Sequence, residues 1–101
     1  MNSLSLREVV ELFLADTPAR LAALHDAVER GDATAVEREA HTLKGSAANV
    51  GALRLAVICE QLQRLGRARD LAPAPPLLAR LDEEYGWARA ALAGRRVGGA
   101  A

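Results

Sequence analysis

The segment VEREAHTLKGSAANVGALRLAVICEQLQ, residues 36–63, combines two helical patterns with a short turn between them. Apolar residues recur on one helix face before the turn and again after it: Val36, Ala40, Leu43, Ala47 and Val50, then Leu55, Ile58, Cys59 and Leu62. Asn49 and Gly51 mark the turn itself. The segment therefore predicts two antiparallel helices joined by a tight connection.

The rest of the chain has the same helical period and no strand alternation. Residues 6–13 carry an apolar stripe, and the first helix is expected to stop near DTP, residues 16–18. The polar residues of DTP can cap a second helix, and its proline fits the first turn of that helix. The second helix is expected to end at Gly31. The helix after it begins near Asp32 or Thr34, either of which can serve as its cap.

Three prolines in GRARDLAPAPP, residues 66–76, predict a loop before the last helix. That helix has an apolar repeat of the coiled-coil type between Leu78 and Leu92. These patterns predict an all-α protein: an antiparallel four-helix bundle with an additional short N-terminal or flanking helix. We expect one domain over residues 1–93 and a flexible tail over residues 94–101, which contain little apolar surface to pack.

Composition limits the function classes that need consideration. The 101 residues are 50% hydrophobic but only 3% aromatic, so the core of a single domain should be aliphatic. Thirteen basic and 13 acidic residues give zero net charge, so we expect no general attraction to nucleic acid or membranes. The single cysteine excludes an intramolecular disulfide, and no signal peptide or apolar run of about 18 residues is recognisable. We therefore expect a cytoplasmic protein.

His41 stands on the polar side of its helix. At about 100° per residue the apolar stripe lies nearly opposite His41, so the imidazole should face solvent. Lys44 and Gly45 lie one turn further on the same side, and Ala48 lies two turns further. Lys44 is the only lysine among the 13 basic residues. Glycine inside a helix costs about 1 kcal/mol relative to alanine. The presence of Lys44 and Gly45 at these positions therefore calls for a functional explanation.

Phosphoryl transfer by His41 would explain both residues. A neutral imidazole, with a reference pKa of about 6.5, is a good nucleophile near neutral pH. Lys44 could neutralise part of the negative charge of a phosphoryl group on His41, and Gly45 leaves space for that group and for a second protein. Arg38, one turn before His41, either adds positive field or is an ordinary exposed charge. These residues predict a histidine that accepts a phosphoryl group from another protein and passes it on.

The segment AHTLKGSAANVGA, residues 40–52, resembles the signature of histidine-containing phosphotransfer (HPt) domains of bacterial two-component phosphorelays. Five residues match the family pattern: His41, Leu43, Lys44, Gly45 and Gly51. The resemblance covers most of the chain and implies a monomeric four-helix bundle that is phosphorylated on Nε2 of His41. It also implies reversible transfer to and from an aspartate in the receiver domain of a response regulator or hybrid histidine kinase. That receiver would dock around Gly45 and Ala48 and bring the Mg²⁺, so no cofactor is expected in this chain.

The resemblance assigns a role to Gln63 as well. In related domains a glutamine on the next helix orients the phosphorylated histidine through its other ring nitrogen. Gln63 lies about as far after Gly51 as His41 lies before it, so an antiparallel hairpin would bring the two residues to the same level. The alternative is an ordinary surface glutamine.

Three other functions are compatible with parts of this pattern. A degenerate domain of the same family would bind a receiver without phosphotransfer. The dimerisation domain of a sensor histidine kinase also exposes a helical histidine, but it typically has an acidic residue directly afterwards, where this chain has Thr42. A purely structural bundle would leave the cluster of His41, Lys44 and Gly45 unexplained. We expect no autonomous kinase activity, because the sequence lacks a Walker-type nucleotide loop.

The remaining reactive residues suggest no second site. His25 lies at the edge of an apolar stripe and is expected to be a packing or boundary residue, and Cys59 is expected to be a small core residue. Two histidines and one cysteine on different helices do not have the spacing of a zinc site. Arg67 and Arg69 are expected to be solvated charges.

Overall fold

The computed structural model describes residues 4–96, and its regular structure consists of four helices. These are α1 (Leu6–Arg30), α2 (Ala33–Asn49), α3 (Leu53–Ala68) and α4 (Ala74–Arg96). Each helix packs against two others in the cyclic order α1, α2, α3, α4, and the most extensive packing joins α2 to α3. The predicted all-α bundle is confirmed, and residues 4–96 contain no strand. Within the same range, no helix combines the length and apolar character needed to cross a membrane.

The core of the bundle is aliphatic, as composition predicted. All four helices contribute fully buried side chains, including Leu24, Val36, Leu43, Leu55, Ile58, Leu62 and Leu81. Full burial of such a side chain contributes about 1.5–3 kcal/mol relative to exposure. The aromatic rings of Phe13 and Tyr85, whose centroids are 5.9 Å apart, add a contact between α1 and α4.

The predicted break at residues 16–18 is wrong, because α1 continues through Pro18 without interruption. The additional N-terminal helix of the prediction is the first half of α1, which is capped by Ser5. Pro18 has no N–H to donate to the carbonyl of Leu14. The hydroxyl of Tyr85 on α4 donates to that carbonyl over 3.5 Å. A tertiary contact therefore replaces the hydrogen bond that the proline removes.

Short caps and turns fix the connections on both sides of α2. Gly31 ends α1 with a φ of 69°, as predicted. Asp32 caps α2 by accepting a hydrogen bond from the N–H of Ala35 over 3.0 Å, so Asp32 and not Thr34 is the cap. Gly51, with a φ of 77°, lies in the turn between α2 and α3. Glycine suits both turns because it adopts positive φ without steric cost.

The loop before α4 is shorter than predicted. Because α3 extends to Ala68 and α4 begins at Ala74, the connection spans only residues 69–73. Pro75 and Pro76 lie in the first turn of α4. Backbone N–H groups have no acceptor inside the helix at that position, so prolines are tolerated there.

The predicted tail at residues 94–101 falls partly within α4, which continues to Arg96. Residues 97–101 lie outside the described residues, as do residues 1–3. The domain boundary at residue 93 therefore stays a prediction.

The backbones of α2 and α3 approach each other closely at Gly66. A Cβ atom on Gly66 would lie 2.7 Å from the backbone nitrogen of Glu37 and 2.8 Å from the carbonyl oxygen of Ala33. These are backbone atoms in a packed helix and cannot move away alone, so a larger residue would push the helices apart. The contact lies one turn from His41 along α2 and holds the two helices together at that level.

Candidate functional site

His41 lies in the middle of α2 with its side chain exposed. On the opposite side of the helix, Leu43 and Ala47 are buried, at 1% and 0% exposure. Gly45 and Ala48 are exposed on the His41 side, and a Cβ atom on Gly45 would meet nothing within 4 Å. The orientation expected from helix geometry is confirmed, and the surface beside the imidazole is open.

Gln63 on α3 contacts the ring of His41 from inside the bundle. Its side-chain Nε2 lies 3.1 Å from Nδ1 of His41, although Gln63 itself is only 6% exposed. Because the amide engages Nδ1, the other ring nitrogen, Nε2, remains for contact with another molecule. The antiparallel register expected from the sequence therefore brings these two residues together.

The orientation of the Gln63 amide is coupled to the position of the ring proton. When the amide nitrogen donates to Nδ1, a neutral His41 ring carries its proton on Nε2. Half a turn of the amide would place Oε1 against Nδ1, move the ring proton to Nδ1 and leave a lone pair on Nε2. Among the described residues, Oε1 of Gln63 is a buried side-chain atom that lacks a hydrogen-bond partner. No hydrogen bond to this oxygen therefore opposes the rotation.

Lys44 is held in an ion pair. Its Nζ lies 2.8 Å from Oε1 of Glu60 on α3, and Oε2 of the same carboxylate accepts a hydrogen bond from Nε of Arg64 over 2.8 Å. The hydrogen bonds from Lys44 and Arg64 hold the pKa of the Glu60 carboxyl below its ordinary value. Glu60 is therefore a charged carboxylate at neutral pH.

Glu60 and Arg64 are residues of this region that were not predicted from the sequence. The register of the hairpin contained a signal for Glu60, because Lys44 lies one turn after His41 and Glu60 lies one turn before Gln63. Because α2 and α3 are antiparallel, one turn forward from His41 and one turn backward from Gln63 reach the same level of the bundle. Lys44 therefore faces Glu60 when His41 faces Gln63. Arg64 lies four residues after Glu60 on the same helix, a spacing that favours an ion pair once Glu60 is singled out.

Arg38 lies on the surface one turn before His41. Its side chain is 65% exposed, and its Nε is 3.8 Å from Oε2 of Glu39. Within residues 4–96, this contact of Arg38 is with Glu39 and not with the imidazole of His41. Arg67, expected to be a solvated charge, is exposed and also donates from α3 to Glu37 on α2 over 3.1 Å.

An apolar groove lies between α1 and α2, next to the exposed side of α2. Its lining residues come from the N-terminal part of the chain and from α2: Leu4, Val9, Leu12, Phe13 and Asp16, then Ser46 and Asn49. Leu12 is 57% exposed, and nearby Leu6 is 63% exposed. Large apolar side chains grouped on a surface are typical of an interaction site. We call this feature the α1–α2 groove.

His25 and Cys59 lie apart from this arrangement. His25, expected to be a packing or boundary residue, is about half exposed, and its Nε2 lies 2.9 Å from Oδ2 of Asp82 on α4. Cys59 is buried as predicted, and burial raises the pKa of its thiol to about 12. A thiol with so high a pKa is a poor nucleophile at neutral pH. Between residues 4 and 96, no cluster of His, Cys, Asp and Glu side chains could hold a metal ion.

Comparison with known proteins gives two matches. A family model described as Hpt domain matches residues 8–91. Among solved structures, the crystal structure of histidine-containing phosphotransfer protein B (HptB) from Pseudomonas aeruginosa PAO1 matches with a TM-score of 0.86 and 33% sequence identity, over 89% of this chain and 78% of that chain. No curated protein gives a significant match. The region matched by the family model contains His41, Lys44, Glu60 and Gln63.

Proposed function

The chain belongs to the Hpt domain family, the phosphotransfer intermediates of phosphorelays, and on that premise we propose that His41 carries the phosphoryl group on Nε2. The observation that carries this proposal is the distance of 3.1 Å between Nε2 of Gln63 and Nδ1 of His41. A buried amide thereby orients an exposed imidazole and leaves its Nε2 for a second protein.

The transfer step is a nucleophilic substitution at phosphorus. The lone pair on Nε2 of His41 forms the N–P bond while the P–O bond to an aspartate of the receiver domain breaks, and the electron pair of that bond returns to the carboxylate. The ring proton stays on Nδ1, where Oε1 of the rotated Gln63 amide accepts its hydrogen bond. The reverse step moves the group from His41 to the aspartate of another receiver, since the N–P bond to imidazole is labile.

Lys44 and Gly45 serve the phosphoryl group in different ways. Lys44 lies one turn after His41, and its ammonium group offsets part of the roughly two negative charges that the phosphoryl group brings. The space beside Gly45 is open to the receiver, because a Cβ atom at that position would meet nothing within 4 Å in this chain. The Mg²⁺ that polarises the phosphoryl oxygens is bound by the receiver in this proposal, and this chain needs no cofactor of its own.

The receiver docks on the α1–α2 groove together with Gly45 and Ala48. Leu12, at 57% exposure, supplies apolar area for this contact. Arg38, with a side chain that is 65% exposed, adds a positive charge at the edge of this docking surface. Because all contacts surround His41, the donor and the recipient use this surface in turn and not together.

The proposed partners are the receiver domain of a hybrid histidine kinase and that of a response regulator, and because the transfer is reversible each can act as donor or as recipient. A monomer is sufficient for this exchange, because one chain supplies the contact of Gln63 with His41 and also Lys44. A cytoplasmic location agrees with the free thiol of Cys59.

A transfer assay tests the proposal. A receiver domain that carries a radiolabelled aspartyl phosphate is mixed, in the presence of Mg²⁺, with the wild-type chain or with His41→Gln. We expect acid-labile, alkali-stable label on the wild-type chain alone, because this stability is characteristic of phosphohistidine. Binding without labelling across several receivers would contradict phosphotransfer and would favour a degenerate domain that only docks the receiver.

A further inference from the structure

One carboxylate beside His41 has no part in the transfer step described above. Glu60 accepts a hydrogen bond from Lys44 over 2.8 Å and another from Arg64 over 2.8 Å. The side chains of Lys44 and Glu60 are 34% and 35% exposed, so their contact is partly shielded from water. Such an ion pair is screened less by salt than one in open solvent.

The Lys44–Glu60 pair lies one helical turn from the His41–Gln63 pair. Both pairs cross from α2 to α3, and they are consecutive contacts between the same two helices. The ammonium group that is expected to stabilise phosphohistidine is therefore already bound to a carboxylate before any phosphoryl group arrives.

Phosphorylation of His41 places a second anion near the same ammonium group. The phosphoryl group carries roughly two negative charges near neutral pH, and Glu60 carries one. Both anions attract Lys44, and they repel each other. A Lys44 side chain that remains at Glu60 neutralises less of the phosphoryl charge, whereas one that moves to the phosphoryl group leaves Glu60 without its partner. Either arrangement makes phosphohistidine less stable than it would be beside an uncharged residue.

We propose that Glu60 is a positioning residue that acts through Lys44. Before phosphorylation it holds the ammonium group one turn from His41, and afterwards it competes for that group, so that the phosphoryl group stays easy to pass on. This inference rests on the proposed function and deepens it. In the absence of the Glu60 charge, Lys44 binds the phosphoryl group more completely, and the transfer equilibrium shifts toward phosphohistidine.

The equilibrium of the transfer reaction measures this competition. The wild-type chain and Glu60→Gln are each incubated with the phosphorylated receiver, and the ratio of label on the two proteins is measured once it is constant. We expect Glu60→Gln to shift the ratio about two- to fivefold toward phosphohistidine, the range that corresponds to partly exposed ion pairs. An unchanged ratio would overturn the proposal.

Glu37→Gln is the matched control for the loss of one negative charge. Glu37 also joins α2 to α3, but it does so through Arg67, over 3.1 Å, and not through Lys44. We expect its ratio to equal that of the wild-type chain. An equal shift in both variants would mean that the ratio responds to overall charge, and the proposal would fail.

A double-mutant cycle tests whether Glu60 acts through the lysine. In a chain that carries Lys44→Gln, the further change Glu60→Gln should lose most of its effect on the ratio, because no ammonium group remains to compete for. An effect of undiminished size would overturn the proposal. Failure of the proposed function is recognised separately, since in that case the wild-type chain itself accepts no label.

Discussion

The α2–α3 and α1–α4 interfaces each contain one histidine that contacts the neighbouring helix, and the two contacts differ in kind. At α2–α3, Nδ1 of His41 meets the buried amide of Gln63. At α1–α4, Nε2 of His25 meets the exposed carboxylate of Asp82. The first contact orients the ring and leaves Nε2 outward, whereas the second occupies Nε2 itself. The difference shows that the partner of a histidine, more than its exposure, decides which nitrogen is available for chemistry.

The two interfaces also differ in how closely their backbones approach. At α2–α3, Gly66 brings α3 against the backbone of Glu37, with no room for a Cβ atom. At α1–α4, the rings of Phe13 and Tyr85 separate the helices with centroids 5.9 Å apart. Close backbones let side chains from both helices meet at defined positions. The α2–α3 interface is therefore the better support for a site that needs accurate geometry.

The largest expected effect separates the two histidines. Label transferred from a phosphorylated receiver should be absent in His41→Gln and equal to the wild-type amount in His25→Gln. The reason is that only His41 presents Nε2 outward beside Lys44 and open space. Quantitative autoradiography at several times measures both variants. Substantial loss of label in His25→Gln would show that the α1–α4 contact is part of the functional site.

A second comparison concerns two glycine residues of the hairpin. Gly66→Ala should lower the free energy of unfolding by about 1–3 kcal/mol, because its Cβ atom meets backbone atoms of α2. Gly45→Ala should raise it by up to about 1 kcal/mol, because alanine favours the helix and the space is open. Urea titrations followed by circular dichroism measure both changes. Equal changes in the two variants would contradict the close approach at Gly66.

A third comparison uses two glutamine residues of α3. Gln63→Leu should slow phosphoryl acceptance about fivefold, because one hydrogen bond of about 1 kcal/mol no longer orients His41. Gln61→Leu, at an exposed position on the same helix, should leave the rate unchanged. Rapid-quench measurements with a saturating phosphorylated receiver give both rates. A wild-type rate in Gln63→Leu would contradict the orienting role.

The smallest expected effect concerns the partner of His25. Asp82→Asn removes the carboxylate charge that contacts His25, in a pair whose side chains are 47% and 49% exposed. Pairs with this exposure contribute about 0.2–1 kcal/mol, so the free energy of unfolding should fall by less than about 1 kcal/mol. Denaturant titration measures the change, and phosphoryl acceptance by the same variant should be unaltered. A larger loss of stability would mean that α1 and α4 depend on this contact.

The helical character of the chain and the ends that flank α2 were predictable because local rules decide them. Gly31 and Asp32 occupy the positions that a helix end and a helix cap require, and the structure agrees with both. Pro18 breaks the local rule. Its missing hydrogen bond is compensated by Tyr85, which is 67 positions further along the chain. No rule based on neighbouring residues detects such compensation.

The candidate site, like the fold, was predictable only where local rules or helix register decide the position of a residue. The position of His41 on the polar side of α2 follows from helical period alone. Its contact with Gln63 was expected from a family resemblance and from hairpin register together. Glu60 follows from that register too, but only once the contact of Gln63 with His41 is accepted. The close approach at Gly66 requires the distance between two helices, which no single sequence contains.

The buried thiol of Cys59 can report how often the native bundle opens. The chain contains one cysteine, and burial raises its pKa to about 12. Alkylating reagents attack the thiolate, so near pH 8 they should modify Cys59 only during the brief intervals in which α3 separates from its neighbours. The rate of modification at this natural residue therefore measures how often the native protein opens, and no substitution is needed.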